Sequence, residues 1–156
     1  MEDIILSDVQ KQLIERLGVA SEKEGLPPAP SRILALLMVS PVTELTFDQI
    51  REHLNLSKSA TSTALNLLLT TNRIDYITQS GDRKRYFKNR IGNWRENIKG
   101  SVKKITNSAD VLEEILNTRP DNTPEFNKDL KDLISFLRFM NDNLPALYRQ
   151  WEEQND

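Results

Sequence analysis

The chain has 156 residues, of which 38% are hydrophobic and 28% are charged, with a formal net charge of −2; this length suits one domain, or one domain with a helical extension. The lack of cysteine excludes a disulfide scaffold and a thiol nucleophile. The longest apolar run, residues 33–39, is far shorter than the roughly 18 residues of a membrane span, and the acidic N-terminus lacks a signal peptide's basic flank, so we expect a cytoplasmic protein.

Two helices are predicted in the first 40 residues. The first covers about residues 7–24, because Ser7 with Gln10 is a capping-box pattern and Gly25 followed by prolines stops a helix. Its apolar residues recur at steps of three and four and predict one buried stripe: Val9, Leu13, Leu17 and Ala20. The second helix, 31–39, is apolar nearly all round, so we expect it to be the most buried helix.

A helix-turn-helix is predicted next. A very short strand at 44–45 precedes it, and Thr46 with Gln49 is a second capping-box pattern that opens the third helix. Asn55 suits the left-handed conformation of a tight turn, and Ser57 is a good N-cap for the fourth helix. The spacing predicts the buried side chains of these helices: Phe47, Ile50, Leu54, Leu56, Thr61, Ala64, Leu65 and Leu68.

A basic hairpin follows the helix-turn-helix. Residues 73–79 are a strand by composition, residues 80–82 read Ser-Gly-Asp, and residues 83–88 return as a second strand. The single acid at the tip, Asp82, cannot neutralise the three bases beside it, so the tip is electropositive: Arg83, Lys84 and Arg85.

The charge of the chain is unevenly distributed. Residues 45–90 contain 8 Lys and Arg against 4 Asp and Glu, a net charge of +4, whereas the remaining 13 bases and 19 acids give −6. Because salt screens exposed charges beyond roughly 8–10 Å, the local field decides whether a surface attracts phosphate. The distribution favours one basic face on an acidic body.

The last third is predicted to be helical. A helix over 91–117 has apolar residues at steps of three and four, residues 119–124 interrupt it, and Thr123 with Pro124 begins another helix. In that last helix, apolar residues alternate at steps of four and three, as in a coiled-coil seam: Phe126, Leu130, Leu133, Leu137, Met140, Leu144, Leu147 and Trp151. Pro145 is expected to kink or split this helix near Leu144.

The sequence allows two packing partners for this seam. It can pack on the 91–117 helix of the same chain, or on another subunit. A lone winged helix binds DNA weakly, and two-fold pairing spaces two reading helices by about 34 Å, one turn of duplex, which favours the dimer. The predicted dimerisation residues are Leu130, Leu133, Leu137, Met140 and Leu144. The aromatic residues of this region are interpreted as core and interface rather than as a ligand cage.

Small polar side chains mark the outer side of the fourth helix. A recognition helix needs them because long or branched residues would hold its backbone away from the base edges. Asn66 is the type of side chain that hydrogen-bonds to the edge of an adenine. An arginine at the hairpin tip, oriented by Asp82, could enter a narrow minor groove. The predicted DNA-binding residues are Ser57, Lys58, Ser59, Ser62, Thr63, Asn66, Arg83, Lys84 and Arg85. An ordinary solvated helix and a solvated turn are the alternatives.

The order of these motifs resembles the MarR superfamily of bacterial winged-helix regulators, most closely its GbsR-like branch. The residues that carry the resemblance lie in segments 25–27, 32–37, 40–41, 45–50, 56–59, 62–65 and 81–86. The resemblance implies a homodimer that binds palindromic operators, reads the groove with residues 58–66 and grips beside it with Arg83 or Arg85. It also implies release by a small molecule. It fades after Lys88, where an effector pocket would be built, so ligands of the branch, such as choline, do not carry over.

Catalysis has little support in the sequence. His53 is the single histidine, and neither a glycine-rich phosphate loop nor a metal-ligand spacing occurs. We therefore expect neither an enzyme nor a bound metal or cofactor.

These observations predict a mostly α fold, a winged helix-turn-helix with an N-terminal helix and a C-terminal helical dimerisation hairpin. The predicted segments are 1–28 for an N-terminal helix that serves dimerisation or packing, 29–90 for DNA binding and 91–156 for dimerisation. The predicted function is a sequence-specific regulator of transcription that binds double-stranded DNA as a homodimer, interpreted as a repressor, with a possible small-molecule effector. The alternatives are a winged-helix module that binds an acidic protein through its basic hairpin, and a helical scaffold that recruits another factor.

Overall fold

The computed structural model describes residues 4–155, which form two compact units. The first unit ends at Ile91 and the second begins at Gly92. The fold is mostly helical with one small three-stranded antiparallel sheet, which confirms the predicted winged-helix class. Within the described residues, every helix is too short or too polar to cross a membrane.

The first unit contains four helices and three strands among its described residues. In chain order they are α1 (Asp8–Lys23), α2 (Pro28–Val39), β1 (Glu44–Thr46), α3 (Phe47–His53), α4 (Lys58–Thr70), β2 (Ile74–Thr78) and β3 (Arg85–Asn89). The sheet order is β1-β3-β2, so β3 is the central strand. Phe87 of β3 pairs with Leu45 on one side and Tyr76 on the other. The predicted helix-turn-helix and hairpin are both present.

Local signals set the helix ends, as the sequence predicts. Ser7 and Gln10 form a reciprocal capping box at α1, and Thr46 and Gln49 form one at α3. Asn55 has a φ of 49° in the turn between α3 and α4, which is the left-handed conformation expected there.

Helix α2 is the centre of the first unit. It has more buried residues than any other described helix, and Ile33 and Leu36 are fully inaccessible to solvent. It packs against α1, α4 and β3. The expectation that this helix is the most buried is confirmed, although it begins at Pro28 rather than near 31 because proline fits the first turn of a helix.

The predicted buried stripe of α1 is wrong at three of its four residues; the fourth, Leu17, is partly buried and packs against the core. Val9, Leu13 and Ala20 are exposed, and the buried residues are Ile14, Gly18 and Ser21. The reason is Arg32 of α2, which crosses α1 at Gly18; a Cβ atom there would lie 2.4 Å from Arg32 Nη1. Arg32 pairs with carboxylates of α1, Glu15 at 2.9 Å and Glu22, and Ile14 on the same side of α1 is buried in the core, so both contacts favour this rotation of the helix.

The second hairpin strand begins later than predicted. β3 starts at Arg85, whereas Arg83 and Lys84 lie in the preceding loop. The Lys84 N–H donates to the Asp82 carboxylate at 2.9 Å, so this group is used inside the loop and does not extend the sheet ladder.

The second unit contains three α-helices among its described residues. A 3₁₀ turn at Ile91–Asn93 leads into α5 (Trp94–Thr106), and α6 (Ser108–Thr118) and α7 (Pro124–Asn155) follow. The predicted single helix over 91–117 is therefore wrong, since it is interrupted at Asn107. At the break, the hydroxyls of Thr106 and Ser108 donate to the carbonyls of Val102 and Ile105, at 3.1 and 2.7 Å.

Helix α7 is continuous through Pro145, so the expected split near Leu144 does not occur. Its buried residues are Leu130, Ile134 and Leu137. This row is rotated from the predicted 4-3 seam because α5 and α6 both pack against α7. Ile134, which lies outside the seam, was missed from the sequence.

Candidate nucleic-acid interface

Helix α4 presents a polar face to solvent. Ser57 accepts a hydrogen bond from the Ala60 N–H at 3.1 Å and so caps the helix. The opposite face is anchored, since Thr61 is fully buried and its hydroxyl donates to the Ser57 carbonyl at 2.9 Å. All six predicted DNA-contacting residues of this helix and its cap are exposed: Ser57, Lys58, Ser59, Ser62, Thr63 and Asn66.

The hairpin tip presents three exposed bases, Arg83, Lys84 and Arg85. The guanidinium of Arg85 lies 4.6 Å from the centroid of the Tyr76 ring, a distance at which a cation–π contact holds its direction. Within the described residues, the side chain of Arg83 makes no hydrogen bond or ion pair. The tip therefore combines Arg85, whose guanidinium is held by Tyr76, with Arg83, whose guanidinium is available to bind an anion.

Asp82 does not orient an arginine, contrary to the expectation from the sequence. Its carboxylate accepts from the Tyr86 O–H at 2.7 Å and from the Lys84 N–H at 2.9 Å. The hydrogen bond from Tyr86, followed by that from Lys84, lowers the pKa of Asp82, and the same bond to Asp82 raises the pKa of Tyr86. Asp82 thus shapes the loop backbone that carries the bases.

A groove of about 330 Å³ lies between the start of α3, helix α4 and the hairpin. It brings Ser62 and Asn66 of α4 together with the three hairpin bases, Arg83, Lys84 and Arg85. The acid in its lining, Asp48, is 3.8 Å from Arg51 and is partly neutralised by it. The groove is therefore electropositive and lined by groups that donate hydrogen bonds.

The remaining polar residues of α4 lie beside this groove rather than in it. Ser59 and Thr63 line a neighbouring depression formed with residues 27–30, and Ser57 and Lys58 lie at the N-terminal end of α4. A long ligand that filled the groove would pass these residues along the same helix.

Two residues that support the interface were missed from the sequence. Tyr76 holds Arg85, and Tyr86 holds Asp82. Arg85 pairs with Thr78 in the sheet, so Tyr76 is its diagonal neighbour two residues along β2. The strand register could therefore have identified the Tyr76 contact, because diagonal pairs are within reach of aromatic and long side chains.

The predicted dimerisation residues separate into two groups. Leu130 and Leu137 are buried inside the second unit, at 8% and 5% exposure, whereas Leu133 is 46% exposed. Met140 and Leu144 are partly buried. An apolar strip runs along one side of α7, at steps of three, four and seven residues, and we define it by Leu133, Phe136, Met140 and Leu147. Phe136 and Leu147 are 58% and 62% exposed.

Two family models match the chain, one in each unit. The model of the MarR family matches residues 24–85, and that of MmpR5-like MarR family transcriptional regulators matches residues 92–154. No curated protein matches the chain.

Among solved structures, one described as a transcriptional regulator is similar at a TM-score of 0.70 with 19% identity, over 93% of this chain and 99% of that chain. This similarity shows the fold. The adhesin competence repressor AdcR of Streptococcus pyogenes has a TM-score of 0.40 and 18% identity, over 90% of this chain and 98% of its own. A MarR transcriptional regulator of Methanosarcina mazei Go1 has a TM-score of 0.40 and 17% identity, over 89% and 97%.

Proposed function

We propose, from the premise that the chain belongs to the MarR family of winged-helix transcriptional regulators, that it binds double-stranded DNA sequence-specifically through α4 and the basic hairpin. Proteins of this family are regulators of transcription rather than enzymes. The observation that carries the proposal is the groove in which Ser62 and Asn66 face Arg83, Lys84 and Arg85. A duplex presents base edges and phosphates side by side, and this groove presents donors for both.

Helix α4 is the proposed reading element. Its exposed hydroxyls at Ser59, Ser62 and Thr63 are short, so the helix backbone can approach the floor of the major groove. Asn66 can pair with the N6 and N7 edge of an adenine, and Lys58 lies at the helix start, where phosphate is favoured. In this proposal α4 determines sequence specificity, and the phosphate contacts fix the position of the protein along the duplex.

The hairpin is the proposed grip beside the major groove. Arg83 is exposed and has no partner among the described residues, so binding a phosphate or a narrow minor groove breaks no existing ion pair. Arg85 is held by Tyr76 and presents a fixed cation next to it. The two arginines are proposed to contact the backbone and the minor groove rather than the bases read by α4.

The homodimer is part of the proposal. The α7 apolar strip exposes large side chains, which is unusual for a surface that stays in water. A two-fold interface through this strip would bury it against the same strip of a second copy. It would also supply the second reading helix that a palindromic operator requires.

The finer parts of the role stay proposals. We propose repression as the sign of regulation, a small-molecule effector that releases DNA, and action in the cytoplasm, where the operator lies. The GbsR-like branch stays a prediction that rests on the motifs between residues 25 and 86. A reporter gene with the operator across its promoter tests the sign: repression predicts higher expression when the regulator is deleted.

A salt titration of duplex binding tests the DNA proposal. Binding that neutralises several phosphates predicts a linear fall of the logarithm of affinity with the logarithm of salt concentration, with a slope of about −0.9 for each phosphate contacted. Fluorescence anisotropy of a labelled duplex measures it. A module that binds protein, or a helical scaffold, predicts no duplex binding even at low salt.

A further inference from the structure

Helix α4 has a second flank, next to the N-terminal turn of α2. A depression of about 520 Å³ lies between them, and it is separate from the groove beside the hairpin. Two exposed hydroxyl side chains of the proposed reading face, Ser59 and Thr63, line it. The rest of its lining is apolar and consists of residues 27–30 with Ala60, Ala64 and Leu67. The depression therefore combines an apolar surface with two hydroxyls.

This depression does not suit a phosphate group. Among the described residues, no charged side chain lines it. The first turn of α2 also has few backbone donors, because Pro27, Pro28 and Pro30 carry no N–H and the Ser31 N–H donates to the Pro27 carbonyl at 3.0 Å. At most the Ala29 N–H remains for an anion. Phosphate is bound by cations or by several donors together, so we expect an uncharged, partly apolar group here.

The two flanks of α4 match different parts of a duplex. A helix that lies in the major groove has one DNA strand along each of its sides. The groove beside the hairpin contains three bases and suits the phosphates of one strand. The flank next to α2 has none, so it suits the base edges of the strand that faces it. Thymine presents an apolar 5-methyl group in the major groove, next to its O4 acceptor.

We propose that this depression reads thymine. The 5-methyl group of at least one thymine in each operator half-site packs against Ala60 and the γ-methyl of Thr63, which are residue types that contact this methyl in protein–DNA complexes. The Thr63 hydroxyl, which makes no hydrogen bond within the described residues, donates to O4. The inference rests on the proposed function and adds a thymine to the adenine proposed for Asn66.

A deoxyribose of the backbone and a second copy of the chain are the competing occupants. The unpaired Thr63 hydroxyl favours a base, because O4 accepts a hydrogen bond directly beside the methyl group. The depression is also continuous with the proposed DNA interface, since Thr63 follows Ser62, which lines the groove beside the hairpin. Continuity with the reading face favours DNA over a second copy.

Deoxyuridine tests the proposal, because uracil lacks only the 5-methyl group of thymine. Random duplexes are selected on the full wild-type chain, and the most enriched duplex is resynthesised with deoxyuridine in place of one thymine at a time. Fluorescence anisotropy then measures each affinity. We expect a loss of roughly four-fold at one or more thymines of each half-site, and about fifteen-fold when both half-sites are changed. Losses below about two-fold at every thymine overturn the proposal.

Thr63→Ser tests whether the methyl group is read in this depression, since it removes the γ-methyl and keeps the hydroxyl. The loss caused by deoxyuridine should shrink from roughly four-fold to roughly two-fold. Thr70→Ser is the matched control and should keep the whole loss, because Thr70 is exposed on the same helix and lines neither depression nor groove. If Thr63→Ser keeps the whole loss, the proposal is overturned, and equal weakening of both duplexes would then assign the depression to a deoxyribose.

The remaining outcomes separate this proposal from the proposed function. A wild-type chain that enriches no duplex refutes the proposed function and, with it, the reading of thymine. A chain that binds its enriched duplex equally well with deoxyuridine refutes the reading of thymine alone. Thr63→Arg blocks the depression, so a changed mass in light scattering without DNA would assign it to a second copy and overturn the proposal. Circular dichroism of each variant confirms that the helices are intact.

Discussion

The two units bury their apolar residues very differently. Among the described residues, fourteen buried apolar side chains form one core in the first unit, and only four lie in the second. The second unit instead exposes large apolar side chains on α7, with Phe136 and Phe139 at 58% and 63%. The first unit also exposes apolar side chains, such as Val9 of α1 at 66%, but it has by far the larger buried core.

The size of the buried core differs between the units, and it supports the proposal that the second unit pairs with a partner. In the first unit α2 packs against α1, α4 and β3, and the fourteen buried apolar residues form one core within the chain. In the second unit α5 and α6 cover only the face of α7 that carries Leu130, Ile134 and Leu137. The uncovered apolar strip is what a symmetric partner would bury, and this is why we place the dimer interface there.

The largest expected effect is the loss of the dimer in Leu133→Glu. A two-fold interface brings two copies of the introduced carboxylate into one apolar contact, so we expect a cost of about 4 kcal/mol or more, roughly a thousand-fold in dimer dissociation. Operator affinity should fall with it because each monomer keeps only one reading helix. Light scattering during size exclusion measures the mass.

Lys131→Glu is the matched control for this substitution. Lys131 is exposed on the polar side of α7, away from the α7 apolar strip, and the change also introduces a glutamate. It should leave the dimer intact. If Leu133→Glu remains a dimer, the interface lies elsewhere and the interpretation of the second unit is wrong.

The next largest effect is a loss of stability when the core of the first unit is truncated. Leu36→Ala removes a side chain that is fully buried in α2 and should lower the free energy of unfolding by about 2–5 kcal/mol. Phe139→Ala, on the exposed surface of α7, should cost less than about 1 kcal/mol. Urea denaturation of each variant checks the pair; equal costs would remove the contrast between the two units.

Arg83→Ala addresses the hairpin. Losing one phosphate contact per protomer should weaken binding to every duplex by about 1 kcal/mol and reduce the magnitude of the salt slope by about 1 for each protomer. Arg73→Ala is the matched control, since Arg73 is an exposed arginine at the opposite end of the hairpin from the tip. An Arg83→Ala variant with unchanged affinity and slope would show that the hairpin does not contact DNA.

The smallest expected effect follows from Tyr86→Phe. This change deletes the hydroxyl that donates to Asp82, so the pKa of Asp82 should rise toward its ordinary value. NMR titration of the carboxyl measures the change, and duplex affinity should fall less than in Arg83→Ala because the bases remain. An unchanged Asp82 pKa would mean that this bond does not shape the loop.

The sign of the pH dependence follows from the same carboxyl. The pKa of Asp82 is lowered in the folded chain, so the ionised group stabilises the loop above its unfolded value of 3.8. That contribution is lost as the pH falls from 3.8 through the lower folded value. DNA binding at neutral pH should therefore not depend on this group's titration.

Structural features that depend on residues close together in the chain could be predicted from the sequence. Both capping boxes, the left-handed Asn55 and the buried face of α4 follow from spacing and from the chemistry of single residues. The outward face of α4 follows in turn, because a helix with one buried face must expose the other. The amino-acid order alone therefore identifies the proposed reading residues.

Contacts between distant segments were not readable. The rotation of α1 depends on its packing against α2, where Arg32 crosses Gly18, and the buried row of α7 depends on where α5 and α6 pack. Periodicity alone cannot choose among apolar stripes that differ by one residue. The role of Asp82 was missed for a related reason, since its partner Tyr86 reaches it only after the hairpin closes.

Affinity selection of the wild-type chain from a pool of random duplexes is the sharpest test of a dimer that reads DNA with α4. A pair of α4 helices related by a two-fold axis predicts enrichment of an inverted repeat whose half-sites are centred about 10 base pairs apart. Enrichment of no sequence, or of a single unrepeated site, would refute that dimeric arrangement.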